Sequence, residues 1–223
     1  DDIDFAMIRT GFGSYWPDEI QEDPNFANNY AGAVANGLSV GVYHYSYATD
    51  VAGAIAEAEY CLKILNGRKL DLPVAFDIED DRHKKLSKET VTAMAKAFCD
   101  TIKAGGYDAI VYSYADFLNN KIDYDQISDY GVWVAHTGTS KPDYDHPYEM
   151  WQYSHTGSVN GINGNVDMNI YYGNNSGGGS TSRKAIVTAD SGLNIRSGPG
   201  TKYDIVGSLT KGTTVYVLEE SND

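Results

Sequence analysis

Pro73-Val74-Ala75-Phe76-Asp77-Ile78-Glu79-Asp80 runs apolar after its proline and then turns acidic. The stretch reads as a buried strand that ends in carboxylates. Side chains alternate across a strand, so Asp77 and Glu79 are predicted on one side, with Cα atoms roughly 6.6 Å apart.

On either side of this strand, β-prone runs alternate with amphipathic helical stretches. Phe5-Ala6-Met7-Ile8-Arg9 reads as a strand, and a helix is predicted from about Pro24 with Asp23 as its N-cap. Val40 to Tyr47 is the next strand, after which Ile55, Ala58, Leu62 and Leu65 recur at helical spacing and Gly67 closes the helix. Beyond the acidic strand, Ser87 opens a helix whose Val91, Met94, Ala95, Phe98 and Ile102 share one face, and Gly105-Gly106 ends it. Ala109 to Tyr112, Val132 to Ala135 and Glu149 to Tyr153 are further strands. Such alternation implies parallel βα units, and about seven of them in about 170 residues predict an α/β fold of irregular, TIM-like (β/α) barrel type. A doubly wound sheet is the alternative.

Asn174 to Ser182 is Gly/Ser-rich and reads as a linker, expected over 174–184. Short alternating runs around Leu193 to Arg196 and Thr214 to Leu218 then predict a small all-β module over 185–223. Residues 1–173 form the expected main domain. They carry the whole net charge of -14, while 174–223 sum to zero. That acidity argues against nucleic acid or an anionic membrane as partner, because phosphate binding is driven by Lys and Arg. No run of about 18 apolar residues predicts a membrane span. The chain opens at Asp1 without a Met and runs straight into a strand, so it is expected to be the interior of a longer protein. Cys61 and Cys99 lie in separate helical segments and are expected to be buried free thiols; a bridge would need those helices adjacent.

Two carboxylates in an apolar setting repel, and burial with like charge raises at least one pKa. A proton donor beside an anion is the pairing used in glycoside cleavage. The competing reading of Asp77 and Glu79 is a solvated acidic turn, since Asp80-Asp81-Arg82 continues into charge. Other strand ends carry aromatic residues: Tyr45 and Tyr47, Tyr112 and Tyr114, Trp133, and Trp151 with Tyr153. Flat rings stack on sugar faces, while tyrosine hydroxyls and Gln152 can bond polar sugar groups. Tyr45, Tyr112, Trp133 and Trp151 are the expected rim residues. Asp167 reads as a carboxylate in a Gly/Asn-rich loop, where an Asx turn is the plain alternative. Arg9 can pair with one of the carboxylates or anchor a loop. His44 reads as a core histidine. The chain has no HExxH, Walker or GxSxG motif, and neither a metal nor a cofactor is expected.

Six ordered stretches together resemble glycoside hydrolase family 25, the lysozymes of bacterial, phage and fungal type. They are Phe5 to Gly13, Gly41 to Ala48, Pro73 to Asp80, Val132 to Ala135, Met150 to Ser154 and Asn165 to Asn169. The resemblance covers residues 1 to about 173, and Gly192 to Gly200 resembles a bacterial SH3 module of the kind that tethers such enzymes to cell wall. It implies hydrolysis of the β-1,4 bond between N-acetylmuramic acid and N-acetylglucosamine in peptidoglycan. Glu79 would be the general acid and then base, and Asp77 would stabilise the intermediate by orienting the substrate's acetamido group. Asp167 matches a further active-site acid. Arg9, Tyr45, Tyr47, Tyr112, Trp133, Trp151 and Gln152 would contact substrate. The family's first strand, bearing Asp-x-Ser, has no counterpart before Asp1, so the barrel is expected to have open edges. The SH3-like module is likewise expected to be incomplete at Asp223. Ala135-His136-Thr137 stands where the family more often has Ala-Gln-Tyr, which bears on one substrate contact.

The expected partners are peptidoglycan glycan strands and, through the SH3-like module, cell-wall peptide. A secreted or wall-associated monomer is expected. The alternatives are a non-catalytic peptidoglycan-binding protein and a chitinase-like glycosidase.

Overall fold

The computed structural model describes residues 3–13, 19–173, 183–186, 188–198 and 200–217. The chain divides into two compact units, Asp1–Tyr171 and Tyr172–Asp223.

The first unit runs β1 (Phe5–Phe12), β2 (Gln21–Glu22), α1 (Phe26–Ala35), β3 (Ser39–Tyr45), α2 (Val51–Leu65), β4 (Val74–Asp77) and α3 (Lys88–Ala104). It continues with β5 (Ala109–Tyr114), α4 (Ala115–Lys121), α5 (Tyr124–Ile127), β6 (Gly131–Ala135), β7 (Met150–Gly157) and β8 (Val166–Tyr171). The sheet order is β2-β1-β3-β4-β5-β6-β7-β8. From β1 through β7 the neighbours β1, β3, β4, β5, β6 and β7 pair in parallel, and β2 and β8 add antiparallel edges. Strand order follows chain order without the reversal of a doubly wound sheet, so the barrel-type winding holds.

The sheet curls. Ala75, Ile110, Tyr112, Trp133 and Met150 form one cluster, and Phe5, Tyr43 and Tyr171 from other strands pack against it. The ring of Phe5 in β1 meets that of Tyr171 in β8 at 6.3 Å. Yet no backbone pairing joins β8 to β1 among the described residues. Between these strands lies a cavity of about 390 Å³ lined by Phe5, Leu72, Asn169 and Tyr171 among others. The open seam agrees with the expected open edges.

Helices cover the opposite face. Ser87 caps α3 by accepting from Thr90 N at 3.2 Å, and Val91, Met94, Ala95, Phe98 and Ile102 are all buried, as their spacing predicts. Phe98 stacks on Phe76 of β4 at 4.4 Å. Asp50 caps α2 by accepting from Gly53 N at 2.8 Å. Asn66, left-handed at φ 45, ends that helix, and Gly67 follows at φ 75. Cys61 and Cys99 are buried free thiols.

Three expectations need correction. Helix α1 starts at Phe26 with Asn25 at its N-cap, because the Asp23 carboxylate is engaged by Arg9 at 2.7 Å and by Asn25 N at 2.9 Å. The acidic strand ends at Asp77, so Glu79 follows it in the loop. Asp167 lies in a strand, because Val166–Tyr171 pairs antiparallel with β7.

The second unit is all-β among its described residues. There β10 (Leu193–Arg196) pairs antiparallel with β11 (Ile205–Leu209), and β12 (Thr214–Val217) with β9 (Arg183–Ile186). Of the expected linker, 174–182 lies outside the described residues, while Arg183 and Lys184 belong to β9.

Candidate active site

Register decides which side chains share the barrel interior. Tyr45 pairs with Asp77, Asp77 with Tyr112, Tyr112 with Trp133 and Trp133 with Met150. Paired residues on parallel neighbours point to the same face, so these five form one inward layer at the carboxyl ends of the strands. Two residues on, Tyr114, Ala135, Gln152 and Asn169 make the next layer outward by the same pairing. Glu79 falls at that upper level, two residues beyond Asp77. The carboxyl ends of barrel strands are where (β/α) barrels build their sites.

The layers are cross-linked by hydrogen bonds. Tyr112 Oη donates to Gln152 Oε1 at 3.1 Å, and Trp133 Nε1 donates to Asn169 Oδ1 at 2.9 Å. The Tyr112 and Trp133 rings lie 4.5 Å apart, and Tyr43 meets Trp133 edge-on at 6.5 Å. Two rings, each hydrogen-bonded to an amide two strands on, form a partly polar floor of the kind on which a sugar can stack.

Asp77 is only 4% exposed, and its Oδ1 has no hydrogen-bond partner in this structure. Burial raises its pKa well above the usual carboxylate range, the Glu79 charge raises it further, and Arg9 opposes the rise. Glu79 is half-buried and also raised, by burial first and then by Asp167 and Asp80, with Lys84 acting the other way. Asp77 is thus the more deeply buried of the two carboxyls, and Glu79 lies within reach of its field. Burial also raises the Tyr45 and Tyr112 phenols, and the charges of Glu79 and Asp77 raise both further. These tyrosines stand within the field of the acids.

The Tyr47 ring packs against Tyr45 at 5.1 Å and under the Arg82 guanidinium at 4.2 Å. Asp167 is exposed, but its charge reaches Glu79, Tyr43 and Tyr112, and its strand parity matches that of Asn169. Arg9 binds Asp23 and lies 5.5 Å from the Phe12 ring, so its direct partner is neither acid of the pair. Trp151 is the clear exception. Its neighbours Met150 and Gln152 point inward, so Trp151 points to the other face, where its indole N–H donates to His136 O at 2.9 Å and its ring meets Tyr153. The structure does not bring Trp151 to the cleft. Its position at an aromatic strand end suggested the rim; only the register to β6 fixes the face.

Residues that sequence reasoning left unassigned also shape this site. Tyr43, Asn169, Arg82 and Lys84 each touch or electrostatically bias it. Tyr43 and Asn169 sit two residues from Tyr45 and Asp167, so strand parity was the available signal. Nothing local in the sequence marked Arg82 or Lys84.

The chain matches the family model "Glycosyl hydrolases family 25" over residues 3–162. It belongs to glycoside hydrolase family 25. A second model, "Bacterial SH3 domain", matches residues 191–223. The chain is 33% identical to the "Autolytic lysozyme" of Clostridium acetobutylicum over 67% of its own length and 44% of that protein's. It is 27% identical to "Lysozyme M1" of Streptomyces globisporus, over 77% of this chain and 60% of that protein. It thus spans between 44% and 60% of the length of these two relatives. Among solved structures, the modular autolysin LytC of Streptococcus pneumoniae superposes with a TM-score of 0.66 at 26% identity, over 77% of this chain and 41% of that one. A family 25 glycosyl hydrolase from Bacillus anthracis superposes with a TM-score of 0.62 at 26% identity, over 77% of this chain and 79% of that one. Family membership agrees with the curled, mostly parallel winding of the sheet.

Proposed function

We propose that this chain is a muramidase that cleaves the β-1,4 bond between N-acetylmuramic acid and N-acetylglucosamine in peptidoglycan. The observation that carries this reading is the acid pair itself: buried Asp77 beneath half-buried Glu79, in a family 25 barrel end floored by Tyr112 and Trp133. Glu79, nearer the mouth and with its pKa raised, protonates the leaving oxygen and then activates water. Asp77 is too deep to meet a leaving group at the mouth. From below it orients the substrate's acetamido group as internal nucleophile, a route outside the two-carboxylate scheme, with retention at the anomeric carbon. Asp167 acts as a third acid through its field on Glu79. Tyr45, Tyr47, Tyr112, Trp133 and Gln152 form the sugar-contacting wall, and Arg9 biases it electrostatically. The expected main domain over 1–173 and the second module after a linker carry over into this reading, with the module beginning by Arg183 rather than at 185. The SH3-type unit docks cell-wall peptide, and the protein works as a monomer outside the cell or on the wall.

The test is product analysis on purified peptidoglycan. New reducing ends that borohydride reduction identifies as N-acetylmuramic acid support the proposal. Reducing ends of N-acetylglucosamine, or turnover of a chitin oligomer without action on peptidoglycan, overturn the bond assignment. Retention on insoluble wall with no new reducing ends favours a binding protein.

A further inference from the structure

One buried acid lies outside this machinery. Glu57 sits on α2 in a stripe that is otherwise apolar, with Ala54, Ala58, Cys61 and Ile64 buried beside it, and it is 2% exposed itself. A carboxyl in a helix's core face is costly to bury unless something there uses it. Its Oε1 accepts from Tyr47 N at 2.9 Å, while Oε2 is buried without a partner. Room for this carboxylate depends on Gly13, where a Cβ would collide with Oε1.

The segment Glu57 holds is the one that ties the aromatic wall to the acid pair. Ser46 N donates to the backbone oxygen of Asp77 at 2.8 Å, and Gly13 N donates to Tyr45 O at 2.9 Å. From the segment after β4, Arg82 reaches Tyr47 O at 3.4 Å, and the His83 ring Nε2 lies 3.0 Å from Ala48 O. The loop at 46–48 is therefore clamped between α2, the end of β1 and the segment leaving the acid strand. Tyr45 and Tyr47, which flank Ser46, are tied into that clamp through their backbone.

We propose that Glu57 is a positioning residue of the glycosidase site: its carboxylate fixes the 46–48 loop and so sets where Tyr45 and Tyr47 stand beside Asp77 and Glu79. The proposal rests on the muramidase reading above. It places the effect in substrate binding, because Glu57 itself meets neither the acids nor the cleft. Burial pushes the Glu57 carboxyl up to about 7, against the pull of the nearby polar groups of Ser46, Tyr47 and Ala48 and the attraction of Arg82. The titratable groups around the clamp are Arg82 and His83 from the segment after β4 and Tyr47 on the loop itself. A neutral carboxyl accepts from Tyr47 N more weakly than an anion does, so the clamp loosens as pH falls through that value.

The experiment measures kcat and KM on solubilised peptidoglycan from pH 5 to 9 for the unmodified chain, Glu57→Ala and Glu57→Gln, with thermal melts of each. The unmodified chain is expected to show KM rising as pH falls through about 7. Glu57→Gln, which keeps an acceptor but cannot titrate, should lose that inflection, and Glu57→Ala should raise KM about tenfold at every pH with kcat within about threefold. If Glu57→Ala does not fold, the pH course of Glu57→Gln decides. An unmoved KM and pH course in the folded variants overturns the role of Glu57 alone, as does a loss confined to kcat. Absence of turnover by the unmodified chain overturns the muramidase reading and this inference with it.

Discussion

Glu79 takes its raised pKa from burial and from two neighbouring acids, and Lys84 works against them. In a general acid, the pKa sets the alkaline limb of the activity profile, since activity falls once the proton is lost. Two substitutions should therefore move that limb in opposite directions. Asp167→Asn removes an anion that favours the protonated form, so the limb should shift to lower pH. Lys84→Met removes a cation that favours the anion, so the limb should shift to higher pH. Profiles of kcat/KM for the two variants check this, and a shift of both in one direction would contradict the assignment of Glu79 as acid. At the same scale, the acid pair was legible in the sequence because two-residue spacing survives the end of the strand. The outward pointing of Trp151 was not legible, because an aromatic at a strand end fits either face until its partner in β6 is known.

Strands β4, β5 and β6 and helices α2 and α3 were legible because burial, caps and periodicity agree in them. Ser87 and Asp50 cap their helices in the structure; the α3 positions read from spacing are all buried, while in α2 Ala58 and Leu65 are buried and Ile55 and Leu62 half-buried. Helices α4 and α5, of seven and four residues, offer too few turns for a period to register. Strand β8 was hidden for another reason. Gly161, Gly164 and Asn165 precede it and pull the reading toward a loop, while its pairing with β7 is a tertiary fact. Gly157 lies close against that partner strand: a Cβ there would collide with the Met168 side chain and stand 2.9 Å from Val166 O. Gly157→Ala should therefore destabilise the first unit by about 1–3 kcal/mol and lower its melting temperature. An unchanged melt would contradict the β7–β8 pairing.

The whole molecule carries buried titratable groups of opposite effect. His44 is fully buried with neither ring nitrogen hydrogen-bonded, and burial lowers its pKa to about 3. The unfolded chain takes up that proton near pH 6.5, so the stability His44 permits is complete above that value and is lost as pH falls, by about 3 kcal/mol at pH 4. Glu57 acts in the opposite sense, because its native pKa of about 7 lies above the unfolded value and protonation favours the folded state. His44→Phe should flatten the acid slope of unfolding free energy between pH 6.5 and 4 whatever its effect at neutral pH; denaturant melts across that range check it. An unaltered slope would contradict a neutral, buried His44. The barrel seam between β1 and β8 and the separate SH3-type unit were both expected from the sequence, the seam only through resemblance to the family.

Release of reducing ends from purified peptidoglycan by Glu79→Gln, set beside the unmodified chain, tests the central claim most directly. Gln cannot donate the proton, so turnover should fall by about 10²–10⁴-fold while the melting temperature and binding to insoluble wall are retained. Turnover by a folded Glu79→Gln at the rate of the unmodified chain would contradict the account.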